Sequence, residues 1–283
     1  MFQMTLETEA LIDRALSEDL SIGDPTTDIL IPPDMQGRAS FVAKEDGVLA
    51  GLDIALAVFR RFDGSLAVTA NVSDGERLSS GDLIATVDGR MNPLLKAERT
   101  SLNFIRRLSG IATETSAYVR EVYGYDVRIV DTRKTTPGLR ALEKYAVRVG
   151  GGYNHRQNLG DGILIKDNHI AALRDLGMNL GDVVRKANSE KSHTINVEVE
   201  VEDLAQVEEA LDAGAKILLL DNMAPEDMAL AVRMSEGRAV TEASGNITLR
   251  TVRAAAASGV DLISVGALTH SAKDLDISLD FAS

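Results

Sequence analysis

Two different spacings of apolar residues divide this chain. Over residues 5–20, apolar side chains fall at Leu6, Ala10, Leu11, Ala15 and Leu16, the spacing of one helix face. The run from Gly23 to Thr27 reads as a turn-rich stop. Short apolar runs predict strands at 38–44, 47–51, 66–72 and 82–88, with a helix at 52–62 among them. That mixture predicts a layered α/β domain over roughly the first hundred residues. Asn92-Pro93 reads as an N-cap followed by proline at the first helical position. Leu94, Ala97, Leu102, Ile105 and Leu108 then carry an apolar stripe as far as Ser109-Gly110.

From Val127 onward, strand patterns alternate with helix patterns. Six strands are predicted, at Arg128–Asp131, Ile163–Lys166, Thr194–Glu200, Lys216–Leu220, Arg238–Glu242 and Asp261–Val265. Helices at 203–213, 225–235 and 248–258 lie between the later ones, with Gly214 and Gly259 as stops. Short crossovers between hydrophobic strands imply a parallel sheet with right-handed connections. Rolled up, it makes a TIM-like α/β barrel of fewer than eight strands. An open doubly wound sheet is the alternative, and the absence of a Gly-x-Gly-x-x-Gly after the first strand weighs against it.

Charge adds the first functional clue. The chain carries a formal −13, yet residues 128–167 hold eight Lys/Arg against four acids. An acidic protein that gathers its cations beside strand ends is built for a small, multiply anionic ligand. Arg140, Lys144 and Arg148, at helical spacing in a helix entered at Pro137, read as one solvated face. Arg133, Lys134, Arg156 and Lys166 instead sit in turns or at strand ends. The pI near 4.8 argues against nucleic acid as a partner. With 283 residues and no Cys, the chain suits one large domain or two unequal ones, without thiolate chemistry. No secretory signal or membrane-spanning apolar run is read, so a soluble cytoplasmic protein is expected.

Active sites of α/β barrels form at the carboxyl ends of the strands. Those ends read Asp131-Thr132-Arg133-Lys134, Lys166, Glu200, Asp221, Glu242 and Gly266. Cations there suit an anionic substrate, and Glu200 with Asp221 suits a divalent cation such as Mg²⁺. Ser244-Gly245-Asn246 and Val265-Gly266-Ala267 follow the last two strands, where barrels bind phosphate. His155 beside Arg156 follows three glycines, which allow a close backbone approach. His270 caps or lines the phosphate loop, His193 is a surface residue, and Arg99 beside Glu98 reads as a surface ion-pair residue. Taken alone, Lys166 raises a Schiff-base aldolase reading.

Longer motifs carry a family resemblance. Glu18-Asp19 with GDPTT at 23–27, ERTSLNFIRRLSGIAT at 98–113 and DTRKTTPGLRALEKYAV at 131–147 come first. GGGYNHR at 150–156, LIKDNHI at 164–170, EVEVE at 198–202, LLLDNM at 218–223, EASGN at 242–246 and ISVGALTHS at 263–271 follow in order. Together they resemble the quinolinate phosphoribosyltransferase (carboxylating nicotinate-nucleotide pyrophosphorylase) family over nearly the whole chain. The resemblance implies an N-terminal α/β sandwich with a linking helix over 1–112 and an incomplete, about six-stranded barrel over 113–283. The C-terminal tail is left free to pack back on the first domain. It also implies transfer of phosphoribosyl from phosphoribosyl pyrophosphate to quinolinate with loss of CO₂, in de novo NAD biosynthesis, by a homodimer with shared active sites.

Carried over by position, Arg133, His155, Arg156 and Lys166 match quinolinate-binding cations, and Thr132 sits beside them. Arg99 matches an arginine reaching in from the neighbouring subunit, which replaces the ion-pair reading. Lys134, Glu200 and Asp221 match the residues holding phosphoribosyl pyrophosphate and Mg²⁺. Ser244, Gly245, Asn246, Val265, Gly266 and Ala267 match the 5′-phosphate loops. Asn246 departs from the family pattern, which commonly has a second glycine there. Two rival readings are a sister group associated with molybdenum transport and a non-catalytic anion-binding relative; retention of both the acid and the base set weighs against them.

Overall fold

The computed structural model describes residues 2–282. The chain divides into two compact units that do not follow chain order. Unit 1 is Met1–Ser116, Thr136–Gly151 and Ala272–Ser283, and unit 2 is Ala117–Thr135 with Gly152–Ser271.

Unit 1 opens with helix α1 (Leu6–Leu20), whose N-cap Thr5 accepts the Thr8 N–H. It buries Thr8, Ile12 and Leu16, while Leu6 is exposed. The expected stop at 23–27 is instead the start of a second helix, α2 (Pro25–Leu30). Asp24 accepts the Thr27 N–H at 3.1 Å, and Pro25 occupies the first turn, where its missing N–H costs nothing. The turn residues were helix-entry chemistry.

A four-stranded antiparallel sheet follows. It comprises β1 (Gln36–Ala43), β3 (Ala67–Ala70), β5 (Leu83–Arg90) and β12 (Ile277–Ala282), in the order β12-β1-β5-β3. Helix α3 (Leu52–Phe62) supplies Phe59, which meets Phe41 of β1 edge-on at 5.9 Å between ring centroids. Two short strands, β2 (Gly47–Val48) and β4 (Arg77–Leu78), pair as a ribbon. The last strand, β12, was not read from the sequence; it pairs with β1 from Arg38↔Ala282 to Ala43↔Ile277.

Helix α4 runs from Met91 to Glu121, so Asn92 lies inside it and does not cap it. It also passes straight through Ser109-Gly110. The Ala50 N–H donates to Ser109 Oγ at 3.0 Å, and a Cβ on Gly110 would collide with the Lys273 backbone. The pair is a packing contact inside a helix. Helix α5 begins at Arg140, not Pro137, after a turn closed by Leu139 N–H donating to Thr136 O. Lys144 is 2% exposed, which overturns the solvated-face reading for that residue. Beside it, buried Glu143 pairs with Arg107 at 2.9 Å and accepts from Thr136.

Unit 2 holds six parallel strands: β6 (Arg128–Val130), β7 (Ile163–Ile165), β8 (Val197–Val201), β9 (Ile217–Asp221), β10 (Val240–Ser244) and β11 (Leu262–Ser264). Their order is β6-β11-β10-β9-β8-β7, so the first two in sequence sit at the two edges. All six predicted strands are present, in an incomplete barrel. Helices α8 (Leu204–Asp212), α9 (Pro225–Ser235) and α10 (Val252–Ala257) form the later crossovers. The expected list omitted α6 (Asp167–Arg174) and α7 (Leu180–Glu190) between β7 and β8, and the short α11 (Ala267–His270).

Candidate active site

Strand alternation determines what the barrel shows its interior. Along β8, Val197, Val199 and Val201 are buried behind the sheet, so Glu198 and Glu200 project from the other face. By the same alternation β9 presents Leu219 and Asp221, and β10 presents Glu242 and Ser244. A cleft of about 560 Å³ forms there, lined by residues of unit 2 alone. That size lies within the usual range for small-molecule sites.

Most expected residues meet in this cleft. Thr132, Arg133, Lys134, His155, Arg156, Lys166, Glu200, Asp221, Ser244, Gly245 and Asn246 all line it. The turn after β6 is held from two sides: the Lys134 N–H donates to Thr132 Oγ1 at 3.0 Å, and Thr269 Oγ1 donates to the Lys134 carbonyl at 2.9 Å. Lys166 follows β7 and places Nζ 2.5 Å from Glu200 Oε2. Burial, reinforced by the Arg133 charge, lowers the Arg156 pKa below the ordinary arginine value, while Glu198 opposes the shift. Arg156 also donates to the Gly162 carbonyl at 3.1 Å.

The phosphate-loop candidates separate. Gly245 has φ +90° and packs so closely on Asn222 that a Cβ would overlap that side chain. Asn246 adopts φ +50°, a left-handed conformation open to glycine and tolerated by asparagine. Its side chain donates to Asn222 Oδ1 at 2.9 Å. The departure from a second glycine therefore keeps the backbone shape. Val265 is buried and donates its N–H to the Val130 carbonyl. Gly266 packs against Lys134 and His270; Ala267 and His270 belong to α11. Arg99 does not line this cleft. It lies on α4 in unit 1, lining a hollow with Glu18, Asp19, Thr100 and Asn103. Beside it, burial raises the Glu98 pKa against the pull of the Arg99 charge.

Several residues of the site were given no role from the sequence, although Asp131 and Glu242 stand among the strand ends named there. Asp131, fully buried, accepts the His155 N–H at 2.9 Å and the Asn154 amide at 2.6 Å, fixing the segment that carries His155 and Arg156. The His155 ring accepts the Arg156 N–H on Nδ1 at 2.7 Å and turns Nε2 toward Glu198 (3.2 Å) and Glu242 (3.6 Å). The expected strand end at Glu242 is corrected, because β10 continues to Ser244. Glu242 thus sits mid-strand, 1% exposed. Burial, then the nearby Glu198 charge, pushes its pKa up to about 7, while His155 pulls it down. The VEVEV alternation held the signal for Glu198. Asn222, at φ +54°, had none beyond its neighbour Asp221.

Comparison with known proteins agrees with this geometry. Residues 24–109 match the N-terminal domain of quinolinate phosphoribosyl transferase and residues 111–280 its C-terminal domain. The chain belongs to the quinolinate phosphoribosyltransferase family. It is 46% identical to nicotinate-nucleotide pyrophosphorylase (carboxylating) of Mycobacterium leprae, over 95% of each chain. It is 42% identical to quinolinate phosphoribosyltransferase (decarboxylating) 1b of Nicotiana tabacum, over 97% of this chain and 82% of that one. The crystal structure of NadC from Streptococcus pyogenes superposes with a TM-score of 0.93 at 43% identity, covering 100% of this chain and 99% of that one. The α/β fold with an incomplete barrel is the family's fold.

Proposed function

We propose that this chain joins quinolinate to phosphoribosyl pyrophosphate and releases nicotinate mononucleotide, pyrophosphate and CO₂, a step of NAD biosynthesis. The observation that carries the reading is the cleft itself, where Arg133, Lys134, Arg156 and Lys166 face Glu200 and Asp221 in one basin. Quinolinate presents two adjacent carboxylates, and guanidinium forks recognise such pairs in bidentate geometry. Arg133 and Arg156 take that role, with Lys166 beside them. Ser244 to Asn246 and Gly266 receive the 5′-phosphate.

Transfer proceeds by departure of pyrophosphate and attack of the ring nitrogen on the ribosyl carbon. Lys134 takes up charge on the leaving pyrophosphate. Glu200 and Asp221 face the ribosyl centre as it becomes positive. No protein nucleophile is required, which fits a chain without Cys. Once alkylated, the ring nitrogen withdraws electrons, and the neighbouring carboxylate leaves as CO₂.

Glu200 and Asp221 also suit Mg²⁺, since carboxylate oxygens are the donors it prefers and it completes its shell with phosphates. Both line the cleft and offer carboxylate oxygens to the ion, which would displace Lys166 from Glu200 Oε2. When bound, Mg²⁺ offsets the charge of the pyrophosphate.

The proposal includes a cytoplasmic homodimer in which Arg99 serves the partner's site. In support, Arg99 is exposed and does not line the cleft of unit 2. Among the described residues no helix is long and apolar enough to cross a membrane. Ultraviolet absorbance of nicotinate mononucleotide, formed from quinolinate, phosphoribosyl pyrophosphate and Mg²⁺, tests the reaction. No product from folded protein defeats it. For the dimer, co-refolding inactive Arg99→Ala with inactive Lys134→Ala subunits should restore activity, because one site per mixed dimer is native. Heterodimers that form and stay inactive defeat the shared-site reading.

A further inference from the structure

The interiors of α/β barrels are usually filled by branched apolar side chains. This one buries two acids there, Glu198 at 6% exposure and Glu242 at 1%. Buried carboxylates are costly unless paired or protonated, and they lie beneath a cleft built for anions. Such a break with the local rule marks a site with work to do.

A second cleft explains the placement. It is lined by Arg128, Asn196, Ile217 and Leu262, at or beside the starts of the strands, which is the opposite end of the barrel from the reaction cleft. Glu242, His155 and Arg156 line both clefts. Glu242 therefore stands in the partition between them. Among the described residues its Oε1 makes no hydrogen bond, while Oε2 lies 3.6 Å from His155 Nε2.

We propose that Glu242 donates the proton that replaces the departing carboxylate on the pyridine ring. This deepens the reaction assigned above and rests on it. As the carbon–carboxylate bond breaks, CO₂ leaves and the electron pair stays on the ring carbon next to the alkylated nitrogen. That carbon takes the proton from the Glu242 carboxyl, so a C–H bond forms, an O–H bond breaks and Glu242 becomes a carboxylate. Water entering from the cleft at the strand starts returns the proton, while substrate fills the other side.

The electrostatics favour a carboxyl that still holds its proton near neutrality. Burial, Glu198 from β8 and Asp131 from the loop after β6 raise the Glu242 pKa, and His155 and the Ser264 hydroxyl of β11 lower it, leaving it near 7. Two further cations, Arg133 and Arg156, line the reaction cleft with it.

A single-turnover experiment that follows pyrophosphate release separately from nicotinate mononucleotide formation tests the proposal. In Glu242→Gln, pyrophosphate release should stay within threefold of wild type, while product formation slows tenfold or more. Glu242→Asp should recover part of that loss. In the wild type, product formation should decline as pH rises through about 7 while pyrophosphate release stays level, a readout that needs no variant to fold. Wild-type product formation in Glu242→Gln overturns the proposal. Equal slowing of both steps in a folded variant also overturns it, showing that Glu242 only shapes the site. If the wild type releases no pyrophosphate from this substrate pair, the reaction assignment falls, and the role of Glu242 with it.

Discussion

The rim and the waist of the barrel handle charge in opposite ways. At the rim, Lys134 and Asn246 are exposed, and Lys166 keeps 42% of its side chain in solvent. Charges there remain hydrated until a ligand arrives. At the waist, Glu198 and Glu242 are buried, and His155 turns its ring toward both. Burial there raises the Glu242 pKa to about 7, so that carboxyl gains or loses its proton near neutrality. The rim is therefore read by ligand charge, and the waist by pH.

The largest expected effect lies at the rim. Arg133→Ala and Arg156→Ala should each weaken quinolinate by about 1.5–3 kcal/mol, the value of a charge-assisted hydrogen bond, and phosphoribosyl pyrophosphate by less. Titrations with each ligand check this, and unchanged quinolinate affinity in both variants removes the rim from substrate recognition.

At the waist, Glu242 holds its proton more tightly folded than unfolded. Its raised pKa therefore costs the wild type stability as pH climbs from the ordinary carboxyl range to about 7. Glu242→Gln escapes that loss, so its melting temperature should gain on the wild type across this window. The difference in stability should be on the order of 3 kcal/mol by pH 7. Parallel melting curves at all pH values contradict the contrast between rim and waist.

Smaller effects are expected in the phosphate loop. Gly245→Ala forces a side chain into a left-handed conformation, at roughly 1–2 kcal/mol, and pushes on Asn222. Affinity for phosphoribosyl pyrophosphate should fall while quinolinate affinity holds. Asn246→Gly should shift stability by less than about 0.5 kcal/mol, because relief at φ +50° is offset by a freer unfolded chain. A loss of several kcal/mol there shows that the bond to Asn222 dominates.

Much of this was legible where residues act through local pattern. Six strands announced themselves because each apolar run is bounded by turns, and the cations of the rim follow directly from strand ends. What escaped depended on partners far away in the chain. Ser109-Gly110 looked like a stop because nothing local shows that the Lys273 backbone needs its space. Lys144 looked solvated because its burial arises in three dimensions. Glu242 was placed at a rim because the end of β10 was set two residues early. For strand interiors, a two-residue error changes a solvated acid into a buried one. Glu198 was visible in VEVEV but was read only as part of a family motif.

The pairing of β12 with β1 has a consequence for synthesis. Lys44 finds Asp280 across 236 positions, and β1 has β5 on one side and only β12 on the other. Until β12 has been synthesised, the outer edge of β1 carries unsatisfied N–H and C=O groups. Open edges of this kind recruit strands from other chains, and closing them late is slow. A nascent chain thus carries an adhesive edge from the synthesis of β1 to that of β12. Loss of β12 would leave that edge open permanently, favouring aggregation although the cleft of unit 2 keeps every residue that lines it.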